Sequence, residues 1–288
     1  MDRSIHKQSV RCKYCNSTNI VRYGTFQGMQ RYFCKNCQRK FADNDALPKM
    51  KTPIWIISLA LNCYYDGMSL GAVQKEINQR HGAYYAQSSI YNWIIRFSED
   101  AIRQAKSFQP KVGDIWLLCI TPAGTGNHQL WFLDIFDINY KFLLASHLSE
   151  TKTEQGVIAF IKSTLFTTQN TLNSPITVIL SDTFDSDELT KKVNESELPD
   201  NLILRKTDAI SMEPFGKLLK KRNDVVHSFK NINKSQILTG AWLLHYNFFA
   251  GNDKTGHTPP AQKMGKTPFK TWKDIISQSS IKIINHGI

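Results

Sequence analysis

Residues 112–121 (VGDIWLLCIT), 129–137 (QLWFLDIFD) and 141–148 (KFLLASHL) succeed one another closely, with PAGTGNH and INY in the two gaps. Each stretch is dense in β-branched and aromatic residues, and the gaps supply glycine, proline or asparagine where the chain must turn. The pattern predicts three consecutive antiparallel strands, the first two joined as a hairpin around Pro122–Asn127.

Beyond the third strand, helices and strands alternate. Residues 153–165 read as a helix, Ile176–Asp182 as a buried strand, 186–194 as a second helix and Leu202–Lys206 as another short strand, with mostly helix from Met212 onward. Three antiparallel strands, a crossover helix and further β/α units predict an α/β domain with the outline of an RNase H-like fold.

Toward the N-terminus, Cys12, Cys15, Cys34 and Cys37 form two C-x-x-C pairs separated by 18 residues. Each pair presents two thiolates from one tight knuckle, and four sulfurs complete a closed tetrahedral zinc shell, a structural rather than a catalytic arrangement. The alternative is a disulfide framework. With no secretory leader ahead of the first pair, the expectation is reduced thiolates in a cytoplasmic setting. Between the pairs, Arg22 to Phe33 carries aromatic and β-branched residues around Gly24 and Gly28, which predicts a hairpin and so a zinc ribbon. The aromatics Tyr23, Phe26, Tyr32 and Phe33 are expected to cover the metal knuckles. Arg22, Arg31, Lys35, Arg39 and Lys40 are the candidate nucleic-acid contacts.

The charge supports that assignment. Residues 1–53 hold 11 Lys/Arg against 3 Asp/Glu, whereas 54–110 hold 5 against 4 and 111–288 hold 20 against 17. Two thirds of the net +12 therefore lies on the ribbon, as expected of an arm that neutralises phosphates. The alternative is a merely soluble basic surface. Apolar runs such as Ile54 to Leu61 are far shorter than the roughly 20 residues that span a bilayer, so no membrane segment is expected.

Between ribbon and sheet, Ile54–Tyr65 predicts a buried helix, Ser69 caps a second helix through about Gln79, and a third starts near Ser88 after the His81-Gly82-Ala83 turn. Helix, glycine turn and helix predict either a DNA-binding helix-turn-helix or a plain packing pair. In the first case Gln87, Ser88, Ser89, Tyr91 and Asn92 would reach base edges. The expected division is a ribbon over 1–47, a helix-turn-helix domain over 48–110 and the RNase H-like domain with a helical C-terminal part over 111–288.

Taken together, these segments resemble insertion-sequence transposases of the DDE type, over about residues 10–265. The resemblance is carried by Cys12-x-x-Cys15 with Gln30-Arg31-Tyr32-x-Cys34-Lys35-x-Cys37-x-Arg39-x-Phe41, by His245-Tyr246-Asn247-Phe248, and by Thr258-Pro259-Pro260-Ala261-x-x-x-Gly265. It implies double-stranded DNA as partner, a homo-oligomeric protein, and a site in which three carboxylates hold two Mg²⁺ ions for phosphodiester chemistry. Asp182 matches the second acid and Glu213 the third, with Lys217, Lys220 and Arg222 behind it as phosphate contacts. The first acid is missing: Cys119 stands in its place, and a thiol is a poor ligand for this hard cation. Asp114 lies roughly 17 Å upstream on the opposite strand face. Asp134 approaches Cys119 only if the hairpin register brings it there, and Asp137 matches a non-catalytic strand-end residue. Phe249-Ala250-Gly251-Asn252 and Pro214 also depart from the family pattern.

The expected function is therefore recognition of specific DNA, such as element ends, by a transposase-type protein whose chemistry is lost or weakened. The alternatives are an active Mg²⁺-dependent transposase with an unrecognised first acid, and a zinc-dependent interaction module that binds no nucleic acid.

Overall fold

The computed structural model describes residues 10–123, 130–168, 176–180, 191, 202–206, 213–226, 231–250, 258–263, 267 and 269–285. The chain divides into two compact units, 1–59 with 273–288, and 60–272. The helices of the expected middle domain thus fall largely in the same unit as the large sheet.

In the first unit, β1 (Ile20–Phe26), β2 (Met29–Cys34) and β3 (Lys40–Ala42) form an antiparallel sheet in that order. Gln27 and Gly28 close the β1–β2 hairpin with φ of +49° and +75°, the doubly positive pair that a two-residue primed turn requires. The register slips between Arg22 and Thr25, and Gly24 (φ +85°) occupies the bulge. The bulge keeps Arg22 and Thr25 on one face, opposite Tyr32 and Gln30, while Phe26 opposes Met29 on the other.

Helix α1 (Ile54–Tyr65) matches its predicted span. Helix α2 (Leu70–His81) starts at Ser69, whose side chain accepts from Ala72 N–H, and ends at the left-handed Gly82. Asn78 and Gln74 then hold the turn: Asn78 Oδ1 accepts from Tyr85 N–H at 2.9 Å and Gln74 Nε2 donates to Tyr85 C=O at 2.8 Å. Helix α3 (Gln87–Ala105) starts one residue ahead of the expected Ser88 and buries Ile90, Ile94, Phe97 and Ala101 along one stripe. No helix among the described residues is long and apolar enough to cross a membrane.

The large sheet contains β4 (Ile115–Ala123), β5 (Leu130–Asp137), β6 (Phe142–Ser149), β7 (Ile176–Leu180) and β8 (Leu202–Lys206), ordered β6-β5-β4-β7-β8. β4, β5 and β6 pair antiparallel, whereas β7 and β8 run parallel to β4. This order and these directions are those of the RNase H-like fold. Trp116, Leu118 and Ile120 of β4 pack with Leu133, Ile135 and Val178 against Val157, Ile161 and Leu165 of α4 (Glu154–Thr168). The opposite face meets α5 (Glu213–Val225), whose Phe215 ring lies 4.6 Å from that of Phe136. The chain continues through α6 (Ile232–Leu244), a π-turn at His245–Phe249, the short α7 (Pro260–Lys263) and α8 (Trp272–Asn285). Helix α6 packs on both α3 and β6, and a Cβ on Gly240 would meet Ile102 at 3.0 Å.

The open edge of β6 is closed by side-chain amides. Asn247 accepts from Leu143 N–H at 3.0 Å and donates to Leu143 C=O at 2.8 Å, and Gln236 accepts from Leu148 N–H at 2.8 Å. An uncovered edge strand invites pairing with another chain. Asn247→Ala strips both partners from Leu143 and is expected to cost about 2 kcal/mol, lowering the thermal midpoint by several degrees. An unchanged midpoint in thermal denaturation would contradict this role.

Candidate metal centre and candidate active site

The four cysteines converge as their spacing predicts. Each knuckle closes in the same way: Asn16 N–H donates to Cys12 C=O and Gln38 N–H to Cys34 C=O, both at 2.9 Å. Asn16 and Gln38 each take positive φ, 58° and 56°, to turn the chain back. The four Sγ atoms lie within 4.8 Å of one another, with Cys12–Cys37 at 3.5 Å and Cys15–Cys34 at 3.6 Å. A tetrahedron with Zn–S bonds of about 2.3 Å has edges of roughly 3.8 Å, whereas a disulfide needs about 2.05 Å. The geometry suits a zinc ion and all four cysteines are free of disulfides. Burial pushes the Cys12 thiol up to about 12. Burial acts on Cys34 too, but N–H donors of Cys37 and Asn36 and the neighbouring thiols bring it down to about 7. A dication supplies the charge that four clustered thiolates lack.

Tyr32 stacks on Phe41 (5.6 Å) beside this centre, as expected of a residue covering the knuckles. Tyr23 and Phe26, expected in the same role, are exposed instead. The bulge at Gly24 and the strand alternation carry them to the face away from the cysteines. Of the basic candidates, Arg22, Lys35, Arg39 and Lys40 are exposed and Arg31 is half-buried. On α3, Gln87, Ser88 and Asn92 are exposed, Ser89 and Tyr91 half-buried; Gln87 Nε2 donates to Gln74 Oε1 at 3.2 Å.

In the large sheet, Cys119 lies in direct register with Asp134 of β5, and Asp134 with Ser146 of β6. Asp134 therefore does reach Cys119, but it is already engaged. Arg222 of α5 is fully buried, and its Nη1 pairs with Asp134 Oδ2. Ser146 Oγ donates to Asp134 Oδ1, while Arg222 Nη2 donates to Thr121 Oγ1 at 3.2 Å and to Asn223 Oδ1 at 3.3 Å. The guanidinium carbon sits 3.5 Å from the centroid of Phe132. The expected phosphate contact at Arg222 is thus corrected: with no exposed surface it cannot meet a phosphate. Phe215, Leu219, Arg222 and Val226 are all buried at helical spacing, so Arg222 belongs to the apolar stripe that seats α5 on the sheet. Lys220, on the outer side, is exposed.

Burial pushes the Cys119 thiol far up, the Asp134 carboxylate adds to this and Arg222 opposes it. Cys119 is a neutral thiol and Asp134 is engaged by Arg222 and Ser146, so neither offers the unencumbered oxygen that a magnesium ion demands. Asp182 lies outside the described residues, as do the side chains of Glu213 and Lys217; Glu213 begins α5. Asp137 is buried and accepts from Gly113 and Tyr140 N–H, a structural role. His245 is buried too: Nδ1 accepts from Trp272 Nε1 at 3.2 Å, which leaves Nε2–H for Asp66 Oδ1 at 3.1 Å.

Two measurements test this geometry. One zinc per chain is expected by elemental analysis, lost on Cys34→Ser and released as pH falls, because the ligands must shed protons to bind; zinc-free protein that keeps a folded ribbon contradicts it. Arg222→Met alone strands a buried carboxylate and is expected to destabilise by about 3–5 kcal/mol, whereas Arg222→Met with Asp134→Leu recovers most of the loss. A double variant as unstable as the sum of the singles would show the pair to be uncoupled.

No family model matches the chain. One stretch of 37 residues is 40% identical to an uncharacterized protein in transposable element ISH50 of Halobacterium salinarum, and that match spans only 13% of each protein. Among solved structures, the magnesium complex of the HTLV-2 integrase catalytic core domain in its trimeric form aligns with 55% of this chain and 99% of its own, at 13% identity and a TM-score of 0.38. A simian T-cell lymphotropic virus intasome in complex with PP2A regulatory subunit B56 gamma aligns over 74% of both chains, at 14% identity and a TM-score of 0.41. Scores this low carry no weight, and the fold assignment rests on the sheet order and strand directions.

Proposed function

We propose that this chain is a DNA-binding protein of the insertion-sequence transposase type that has lost its phosphodiester chemistry. The short likeness to a transposable-element protein supports the family reading. The observation that carries the loss of chemistry is the Arg222 guanidinium seated on Asp134, directly across from Cys119. A cation built into the chain occupies the charge position that a metal site would need. Asp182 and Glu213 then keep the family's second and third acid positions without a first partner.

DNA is gripped in this reading by two basic or polar surfaces. Arg22, Arg31, Lys35, Arg39 and Lys40 of the ribbon contact phosphates, and Gln87, Ser88, Ser89, Tyr91 and Asn92 at the start of α3 face base edges. The exposure of Gln87, Ser88 and Asn92 favours this use of the helix. The protein works as a homo-oligomer on double-stranded DNA, as transposases that join two ends do. A second reading, an active Mg²⁺-dependent transposase, draws on one observation: Asp134 is the cross-strand neighbour of Cys119 and would serve as first acid once Arg222 withdrew.

A strand-transfer assay with purified protein, candidate element ends and Mg²⁺ or Mn²⁺ separates the two. No joined product is expected, and Mn²⁺ is expected to leave the thermal midpoint unchanged. Product that disappears in both Asp134→Asn and Asp182→Ala establishes the second reading instead. Duplex binding itself is expected to weaken steeply with salt, and a Lys35→Gln/Arg39→Gln variant to show a shallower slope by about 2.

A further inference from the structure

The ribbon has two unlike faces. On the cysteine side lie Ile20, Arg22, Tyr32 and Phe41, the hydrophobic members packed with the knuckles. On the other, strand alternation and the Gly24 bulge bring together Val21, Tyr23, Phe26, Met29, Phe33 and the cations Arg31 and Lys40. Of the eight large apolar side chains exposed among the described residues, four are here: Val21 (39%), Tyr23 (47%), Phe26 (62%) and Met29 (38%). Such a concentration on one small sheet is not explained by the fold, since none of the four covers the metal centre.

The composition of the face selects its occupant. Tyr23 and Phe33 lie 6.3 Å apart with tilted rings, and the Lys40 ammonium sits 3.9 Å from the Tyr23 centroid. Aromatic planes interleaved with cations suit a ligand that alternates flat π-surfaces with negative charge. In a duplex the base faces are stacked on one another and unavailable, so the matching ligand is a single strand. We propose that the outer face of the hairpin is a stacking platform for unpaired nucleotides, with Tyr23 and Phe26 receiving bases and Arg31 and Lys40 receiving the flanking phosphates. This rests on the DNA-binding reading: Arg31 and Lys40 serve the phosphates of either ligand, whereas Tyr23 and Phe26 act on the single strand alone.

The test uses the full zinc-loaded chain and two labelled probes, an oligodeoxythymidylate of about 12 nucleotides and a duplex, in fluorescence anisotropy at low and moderate salt. Wild type is expected to bind both. Tyr23→Ala and Phe26→Ala are each expected to weaken oligodeoxythymidylate binding about tenfold and to leave duplex affinity unchanged, while Tyr23→Phe retains it. Zinc content equal to wild type certifies the folding of each variant. Single-strand binding that is absent, or indifferent to both alanines, overturns the platform while leaving duplex recognition standing. Equal weakening on both probes also overturns it, since the face would then be a general DNA contact. Loss of duplex binding in the wild type defeats the wider DNA-binding reading. If instead the alanines affect only association with a polypeptide, the face is a protein surface and the proposal fails.

Discussion

Arg222 carries a full positive charge into the layer between a helix and the sheet, and the groups around it are placed to hold it there. An isolated buried charge is prohibitively costly, so the carboxylate of Asp134, the hydroxyl of Thr121 and the ring of Phe132 act as one unit. Those four residues come from β4, β5 and α5, and the pair therefore fixes the register of β5 against β4 as well as the rotation of α5 on the sheet. Turning α5 by one residue would bring Lys221, now half-exposed and 3.7 Å from Asp66, into the apolar layer. Charge, more than apolar area, specifies how this helix sits.

That constraint was partly legible in the amino-acid sequence. Asp134 lies in the middle of the apolar stretch QLWFLDIFD, whereas Asp137 closes it, and an acid in the middle of a buried strand requires a counter-charge somewhere. The partner was hidden by its neighbours. Lys217, Lys220 and Lys221 make residues 217–222 look like one basic face, and only the spacing from Phe215 through Leu219 to Arg222 and Val226 separates the arginine from the lysines. The strands and helices are plainer, because β5 and β6 are apolar runs of strand length and α1 is one of helix length, each bounded by turn residues. The π-turn at His245–Phe249 had no such signal. There the reason for the sequence lies in tertiary partners: Asn247 serves the edge of β6, and His245 links Trp272 to Asp66.

The ribbon shows the same split between pattern and consequence. The cysteine spacing reports the metal geometry almost directly, since two knuckles with identical turns leave few other ways to place four sulfurs. The destination of the aromatics depends on a single extra residue in β1. Without the bulge at Gly24, either Tyr23 or Phe26 would share a face with Tyr32, because residues three apart on a regular strand point opposite ways. One glycine with positive φ thus decides whether the hairpin presents two aromatics on its outer face or divides them between faces.

The order in which an acid and a cation occupy the sheet centre also limits what a single substitution can restore. If an aspartate replaced Cys119, two carboxylates would face one guanidinium across neighbouring strands, and Arg222 would neutralise the new group as well as Asp134. A magnesium ion would then compete with a cation that is covalently part of the helix, already desolvated and already oriented, so its effective concentration never falls. Removing Arg222 alone leaves a buried carboxylate without a partner, which destabilises the helix seat before any ion arrives. An acid at position 119 left free to hold a cation therefore calls for two coordinated changes, one at Cys119 and one at Arg222, and the intermediate carrying only the second is the less stable of the two. The thiol and the internal ion pair reinforce each other: each makes the reversal of the other ineffective.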